Sequence, residues 1–296
     1  MAEDSGSETA GLFATDMDGT LLQPEGGFHD DDLRALESLG RMGFLRVIAT
    51  GRSPFSFRRM MGRRVLPVDY LVLSSGAFVM DYRSGSCLKS SSMDGELTDR
   101  LVEWLVSRNY DFCVQSTGHD SHAFSYCYAS GANPDMERRI ELYRGHCGPL
   151  ASPDGSGPST QIVVILPSGA GEDRLKEFNS HLGGDCSILR TTSPLDGESM
   201  WIEIFPPGIS KSRGVAWIAQ RHGISPADTA AVGNDYNDHD LLEWAGHAFV
   251  VEDSPEHLRT SFTEVTSVGR GAVAQAARLW LMERGQLSGE ENWPSS

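Results

Sequence analysis

The chain lacks most of the features that mark a membrane or secreted protein. None of its apolar runs approaches the ~20 residues that a helix needs to cross a bilayer. Residues 1–11 are acidic and rich in small side chains, without the basic and apolar regions of a signal peptide. The five cysteines are odd in number and form no Cys-x-x-Cys pair, which argues against a disulfide framework and against structural zinc. We therefore expect a cytoplasmic protein with reduced cysteines and no membrane contact.

Basic residues are also scarce. The formal net charge is −16 at pH 7, and only three of the 25 basic residues are lysines. A nucleic-acid backbone would repel such an acidic chain, so we expect no nucleic-acid partner. A phosphorylated small molecule would have to be attracted by local groups, because the overall charge opposes it. With 39% apolar residues, the 296-residue chain can form one large domain or two moderate ones.

The most informative stretch is Asp16-Met17-Asp18-Gly19-Thr20, which directly follows the apolar run Leu12-Phe13-Ala14. Two carboxylates two residues apart at the end of a strand point to the same side. Asp16 and Asp18 can therefore share a divalent cation and a phosphoryl group. Mg²⁺ is commonly held by one or two carboxylates together with phosphate oxygens and water. The glycine and threonine that follow favour a tight turn whose amides face an anion.

Three later segments repeat this pattern of an apolar strand followed by polar residues. One strand ends in Thr50-Gly51-Arg52, where a hydroxyl and backbone amides can hold a phosphate oxygen. The strand 201–205 leads to Lys211 in the first turn of a predicted helix. The helix dipole disfavours a cation there, which suggests that Lys211 has a function such as neutralising the charge of a phosphate. The last strand ends in Gly233-Asn234-Asp235-Tyr236-Asn237-Asp238. Because open α/β sheets bind ligands at the carboxyl ends of their strands, we expect the four segments to meet there.

The four motifs, in this order, resemble those of the haloacid dehalogenase superfamily, and the chain looks most like its Cof-type sugar-phosphate phosphatases. This resemblance implies an α/β fold with a Rossmann-like parallel-sheet core and a smaller inserted α/β cap domain. Well over a hundred residues separate the second motif from the third, which is too long for a loop. We expect a discontinuous core at 11–78 and 198–284, a cap at 79–197, and flexible termini at 1–10 and 285–296.

The same resemblance implies roles for the motif residues. Asp16 would be the nucleophile that forms an aspartyl-phosphate, which water then hydrolyses. Asp18 would be the general acid for the leaving oxygen and the general base for that water. The residues implied to bind phosphate are Thr50, Gly51, Lys211 and Asn237, and those implied to hold Mg²⁺ are Asp16, Asp18, Asn234, Asp235 and Asp238.

One position departs from the family pattern. The fourth motif of the family usually begins Gly-Asp, whereas this chain has Asn234 at the aspartate position. An asparagine still offers a carbonyl oxygen to Mg²⁺, but it removes a negative charge and with it some affinity for the metal. Asp235 or Asp238 are alternative sources of that charge, and the sequence leaves open which of the three residues binds the metal.

These observations favour a Mg²⁺-dependent phosphatase that hydrolyses a small phosphorylated metabolite, such as a sugar phosphate. Three alternatives stay open. One is a phosphomutase that uses the same aspartyl-phosphate but returns the phosphoryl group to a sugar. Another is a family member that binds a phosphorylated ligand without turnover, which Asn234 keeps possible. The third is a phospho-acceptor signalling module that resembles response-regulator receivers, although the spacing of the acidic pair and the large insertion argue against it. The natural substrate, the cap residues that set specificity and the oligomeric state are not encoded in these motifs.

Overall fold

The computed structural model describes residues 9–118, 122–152, 155–288 and 293. The chain divides into two compact units, of which the first comprises Met1–Gly51, Met60–Lys89 and Lys211–Ser296 and the second Arg52–Arg59 and Ser90–Ser210. Each unit has its own sheet, with eight strands in the first and six in the second. This mixed α/β architecture confirms the predicted fold class. The termini predicted to be flexible, 1–10 and 285–296, lie mostly outside the described residues.

The strands of the described residues are β1 (Gly11–Thr15), β2 (Phe44–Ala49), β3 (Tyr70–Leu73), β4 (Phe78–Asp81), β5 (Cys87–Ser90), β6 (Phe112–Gln115), β7 (Phe124–Cys127), β8 (Cys147–Pro149), β9 (Gln161–Leu166), β10 (Ser187–Thr192), β11 (Met200–Phe205), β12 (Thr229–Gly233), β13 (His247–Val251) and β14 (Thr263–Val265). Their helices are α1 (Asp30–Arg41), α2 (Pro54–Met61), α3 (Gly95–Ser107), α4 (Pro134–Leu142), α5 (Glu172–Leu182), α6 (Lys211–Arg221), α7 (His239–Trp244), α8 (Glu256–Arg259) and α9 (Ala272–Glu283). No helix in this part of the chain is long and apolar enough to cross a membrane.

The first sheet has the strand order β14-β13-β12-β1-β2-β3-β4-β5. Its central strand β1 pairs in parallel with β12 on one side and with β2 on the other. Every residue of β1 and of β12 is buried, as is usual for parallel strands that are covered on both faces. Three of the four motif strands are thus direct neighbours whose carboxyl ends lie at one edge of the sheet.

The second sheet has the order β10-β11-β9-β6-β7-β8 and is antiparallel except where β8 joins β7. One of its faces packs against α3 and α5, and this core includes Leu105 and Phe178. Part of the other face packs against α4, where Met136 contributes to a smaller core. The second unit therefore has a hydrophobic core of its own.

The sequence places the strand before Lys211 in the same sheet as the other motif strands, and this prediction is wrong. That strand, β11, pairs with β10 and β9 in the second sheet. Conversely, β4 and β5 continue the first sheet beyond β3. Two of the borders between the units follow Lys89 and Ser210, where the sequence predicts borders after 78 and 197, and the segment Arg52–Arg59 also belongs to the second unit.

A buried carboxylate joins two helices of the first unit. Asp32 of α1 is fully buried, and its Oδ1 accepts a hydrogen bond of 2.7 Å from the backbone N–H of Ala274, in the first turn of α9. The residue before α9 is Gly271, which has no side chain to cap the helix, so Asp32 supplies the cap from another helix. Burial raises the pKa of Asp32 from 3.8 to about 7.

This raised pKa predicts a specific pH dependence of stability. The folded state binds the Asp32 proton more tightly than the unfolded state, so the resulting stabilisation is complete below about pH 4 and is lost as the pH rises through about 7. An Asp32→Asn variant keeps the acceptor but has no proton to lose. From urea unfolding, we expect the wild type to lose up to about 4 kcal/mol relative to this variant between those pH values. The exposed Asp30→Asn variant is the control; an equal, pH-independent difference for both variants would contradict the assignment.

Candidate active site

The carboxyl ends of three motif strands lie side by side in the first sheet. Asp16 follows β1, and its backbone N–H donates to the carbonyl oxygen of Val232 in β12 at 2.9 Å. Thr50 follows β2, and its N–H donates to the carbonyl oxygen of Val72 in β3 at 2.9 Å. These bonds extend the pairing of the sheet to the motif residues themselves. The prediction that these strand ends meet is therefore correct for the first, second and fourth motifs.

Lys211 connects the remaining motif to this edge. Its Nζ donates hydrogen bonds to Asp16 Oδ1 at 2.7 Å, to Asp238 Oδ1 at 2.6 Å and to Asn237 Oδ1 at 3.1 Å. The lysine side chain is only 1% exposed, so these contacts replace the water that its ammonium group would otherwise bind. A single buried cation thus links the first, third and fourth motifs.

Gly214, which is not part of the sequence motifs, allows helix α6 to approach the sheet closely enough for Lys211 to reach Asp16. Gly214 lies one turn further along α6, and a Cβ atom there would overlap the side chain of Val72 in β3. The missing side chain lets α6 lie directly against the sheet. Glycine is unfavourable inside a helix, so a glycine in the predicted helix after Lys211 already indicates close packing at this point.

Asp238 shapes the loop of the fourth motif. Its Oδ2 accepts hydrogen bonds of 3.0 Å from the backbone N–H groups of Asn234 and Asp235, while its Oδ1 accepts from Lys211. The Asp235 side chain accepts in return from the N–H of Asp238, which completes a capping box. Gly233 leaves the necessary room, because a Cβ atom there would lie 2.6 Å from Asp238 Cβ. The structure therefore uses Asp235 and Asp238 to hold the loop and the lysine.

Asn234 lies against the turn of the first motif. Its Oδ1 accepts a hydrogen bond of 3.2 Å from the hydroxyl of Thr20. Gly19, at a φ of 79°, approaches so closely that a Cβ atom would overlap Asn234 Nδ2. Only a glycine satisfies both the positive φ and this close approach. The asparagine is thereby placed next to the turn that carries Asp16 and Asp18.

The donors at this point fit a hard divalent cation. Asp16 can supply a carboxylate oxygen, Asp18 its backbone carbonyl oxygen and Asn234 an amide oxygen, and Mg²⁺ is usually held by one or two carboxylates together with other oxygen ligands. Among the described residues, no group of three or more His, Cys, Asp or Glu side chains is arranged to hold a metal. The turn of the first motif itself offers two acidic residues, Asp16 and Asp18, and Asn234 adds a neutral oxygen donor.

The second motif lies beside the same cluster. Thr50 is buried, and a Cβ atom on Gly51 would lie 3.7 Å from Asn237 Nδ2 and 3.6 Å from the hydroxyl of Ser75. Asn237 in turn accepts from Lys211. The residues predicted to bind phosphate thus form one continuous group. Ser75, which the sequence motifs omit, borders the same group.

The electrostatics of the cluster are dominated by an excess of negative charge. Burial, followed by the charges of Asp238 and Asp18, raises the pKa of Asp16 above its ordinary value, while Lys211 opposes this shift. Burial alone would lower the pKa of Lys211, but the carboxylates of Asp16 and Asp238 outweigh it and raise the pKa above its ordinary value. The lysine is therefore a permanent cation. Lys211 contacts two carboxylates, and Asp18 adds a third negative charge that acts on Asp16, so a divalent cation would neutralise the excess.

Comparison with known sequences agrees with this arrangement. The sequence profile of the haloacid dehalogenase-like hydrolases matches residues 13–276. The 5-amino-6-(5-phospho-D-ribitylamino)uracil phosphatase of Bacillus subtilis is 26% identical over 273 residues, which cover 86% of this chain and 91% of that protein. The HMP-PP phosphatase of Cronobacter sakazakii is 26% identical over 282 residues, covering 92% of this chain and 96% of its own.

Solved structures agree on the fold. A phosphatase of the haloalkanoate enzyme superfamily from Bacteroides thetaiotaomicron superimposes with a TM-score of 0.74 at 18% identity, covering 97% of this chain and 99% of its own. A subclass IIB sugar phosphatase of the same superfamily gives a TM-score of 0.70 at 18% identity, with 94% and 100% covered. The resemblance drawn from the four motifs is confirmed: this chain belongs to the haloacid dehalogenase-like hydrolases and is a phosphatase.

Proposed function

We propose that this phosphatase hydrolyses a small phosphorylated metabolite in a Mg²⁺-dependent reaction that passes through an aspartyl-phosphate on Asp16. The observation that supports this most strongly is the buried contact of Lys211 with Asp16 and Asp238 at the carboxyl edge of the first sheet. A buried ion pair contributes little to stability by itself, because the cost of desolvating the charges offsets their attraction. Its placement at the ligand-binding edge therefore argues for a catalytic purpose.

Contacts support the roles that we propose for Asp16, Lys211 and Asn237, and the family resemblance supports the role of Asp18. Asp16 Oδ1 accepts from Lys211, so the carboxylate is held in one orientation and its other oxygen is the one assigned to attack phosphorus. Asp18 transfers protons, first to the leaving oxygen and then from the attacking water. Lys211, Thr50, the Gly51 amide and the Asn237 amide group stabilise the charge that develops on the phosphoryl oxygens. The contact between Lys211 Nζ and Asn237 Oδ1 holds these two groups together.

The metal ligands that we propose are the carboxylate of Asp16, the backbone carbonyl of Asp18 and the amide oxygen of Asn234. Asp235 and Asp238 are assigned to holding the loop, because the capping box and the lysine contact engage their carboxylates. When bound, Mg²⁺ would offset the negative charge of the phosphoryl group and of the nearby carboxylates. Phosphate monoester hydrolysis is among the slowest uncatalysed reactions, with enhancements of up to about 10²¹-fold, so this concentration of charge is proportionate to the task.

The experiment that tests the function is phosphate release from p-nitrophenyl phosphate, followed by a panel of phosphorylated metabolites. The panel includes sugar phosphates and the two substrates named for the relatives, a phosphorylated ribitylaminouracil and HMP-PP. We expect Mg²⁺-dependent release of inorganic phosphate that EDTA abolishes. Isomer formation from a sugar phosphate without phosphate release would contradict the proposal, as would the absence of release from every member of the panel.

Asn234 offers a sharper test of the metal site. An Asn234→Asp variant adds a carboxylate to a cluster that is already negative, so we expect tighter Mg²⁺ binding and a larger rise in melting temperature on adding Mg²⁺. Isothermal titration calorimetry measures the first effect without any substrate. Asn179→Asp, at an exposed position of α5, adds the same charge elsewhere and serves as the control. Equal Mg²⁺ affinity in wild type and Asn234→Asp would show that residue 234 is not a ligand.

A further inference from the structure

The turn after β3 has an unusual backbone. Ser74, Ser75 and Gly76 have φ angles of 46°, 52° and 112° in succession. In the part of the chain that the structure describes, Asn109 is the one other non-glycine residue with a positive φ. Side chains other than glycine rarely adopt this conformation, and where they do the surrounding structure enforces it, often at a functional site.

The turn is fixed to the second motif. The N–H of Ser75 donates to the carbonyl oxygen of Thr50 at 3.0 Å, and the N–H of Thr50 donates to the carbonyl oxygen of Val72 at 2.9 Å. Both serines are buried, with Ser75 fully so. The turn is thus attached to the end of β2 by Ser75 itself and by the pairing of β2 with β3 just before it. Ser75 therefore lies next to the backbone of the second motif.

The hydroxyl of Ser75 faces the same small space as the phosphate-binding group. This space lies above Gly51, where a Cβ atom would be 3.6 Å from Ser75 Oγ and 3.7 Å from Asn237 Nδ2. Asn237 contacts Lys211, and Lys211 contacts Asp16. Ser75 and Asn237 therefore border the space beside Gly51, and Asn237 connects that space through Lys211 to the nucleophile.

We propose that Ser75 is a further phosphate-binding residue, whose hydroxyl donates a hydrogen bond to a non-bridging oxygen of the phosphoryl group during the reaction. This inference rests on the function proposed above. A turn that required only a positive φ would be served better by glycine at residue 75, as it is at residue 76. A serine at this position has an unfavourable backbone conformation, but it places a hydroxyl group next to the space above Gly51.

A pair of glycine variants separates the hydroxyl from the backbone. Ser75→Gly relieves the unfavourable φ and removes the hydroxyl, so we expect an unchanged or higher melting temperature together with a fall in kcat/KM of about ten- to a hundred-fold. Ser74→Gly makes the same backbone change one residue earlier, and we expect it to keep the wild-type kcat/KM. Ser75→Ala, which keeps the backbone restricted, should lose as much activity as Ser75→Gly.

Two readouts distinguish phosphate binding from a purely structural role. The fall in kcat/KM should be the same for p-nitrophenyl phosphate and for a sugar phosphate, because the phosphoryl group is common to both. The inhibition constant of orthovanadate, which imitates the transferring phosphoryl group, should rise in parallel. Wild-type kcat/KM and vanadate inhibition in Ser75→Gly would overturn the proposal, and so would an equal loss in Ser74→Gly. If the wild type itself hydrolyses no phosphate ester, the proposed function fails first, independently of Ser75.

Discussion

Replacing Lys211 by methionine is expected to destabilise the protein by about 3–5 kcal/mol at neutral pH, because it leaves Asp16 and Asp238 buried without their cation. The methionine fills a similar volume, so the loss reports on charge more than on packing. Urea unfolding monitored by tryptophan fluorescence gives the free energy directly. We expect the loss to shrink as the pH falls, since the unpaired carboxylates can then take up protons.

Lys176 provides a matched control for this substitution. Its side chain is 76% exposed, and its partner Asp173, at 3.5 Å, is 97% exposed. Such a surface pair contributes at most about 1 kcal/mol, so Lys176→Met should unfold nearly as the wild type does. Adding Asp16→Asn to Lys211→Met should recover part of the lost stability, because one uncompensated charge is removed. If both lysine substitutions lowered the free energy of unfolding equally, the loss in Lys211→Met could not be attributed to the buried contacts with Asp16 and Asp238.

An Asp16→Asn enzyme is expected to lose at least about a thousand-fold in kcat while remaining folded. The amide retains an oxygen for Lys211, and one of three clustered carboxylates disappears, so the free energy of unfolding without Mg²⁺ should be unchanged or higher. Phosphate release and urea unfolding measured on the same preparation test both halves of this statement. Asp30→Asn, on the exposed surface of α1, should match the wild type in both assays. A variant that is inactive because it is unfolded would not support the nucleophile assignment.

Much of the site could be predicted because its residues follow strands in a recognisable way. An apolar strand followed by polar residues is visible in the sequence, and parallel neighbours place their carboxyl ends at one edge. Asp16, Thr50 and the fourth motif do lie together in this way. β11 is the exception, since a buried strand gives the same local pattern in either sheet. Only its pairing with β9 and β10 decides where it belongs.

The division of labour among the acidic residues could not be predicted, because it depends on which donors face each carboxylate. Residue type makes Asp238 as good a candidate for the metal as Asp18, yet the structure directs its oxygens to two backbone N–H groups and a lysine. The sequence does show a glycine inside a predicted helix at residue 214 and a polar residue after a predicted strand at residue 75. The contacts that give them meaning, with Val72 and Gly51, appear only after folding.

The cytoplasmic location and the absence of a nucleic-acid partner stay predictions from composition.

The aspartyl-phosphate on Asp16 can be detected directly, because acid traps it on the protein. In an Asp18→Asn variant the nucleophile is intact but the water-activating carboxylate is missing, so the phosphorylated enzyme should accumulate. After mixing with p-nitrophenyl phosphate and Mg²⁺ and quenching in acid, we expect peptide mass spectrometry to find one phosphoryl group on Asp16. Phosphorylation of another residue, or unphosphorylated enzyme during continuing turnover, would contradict the mechanism.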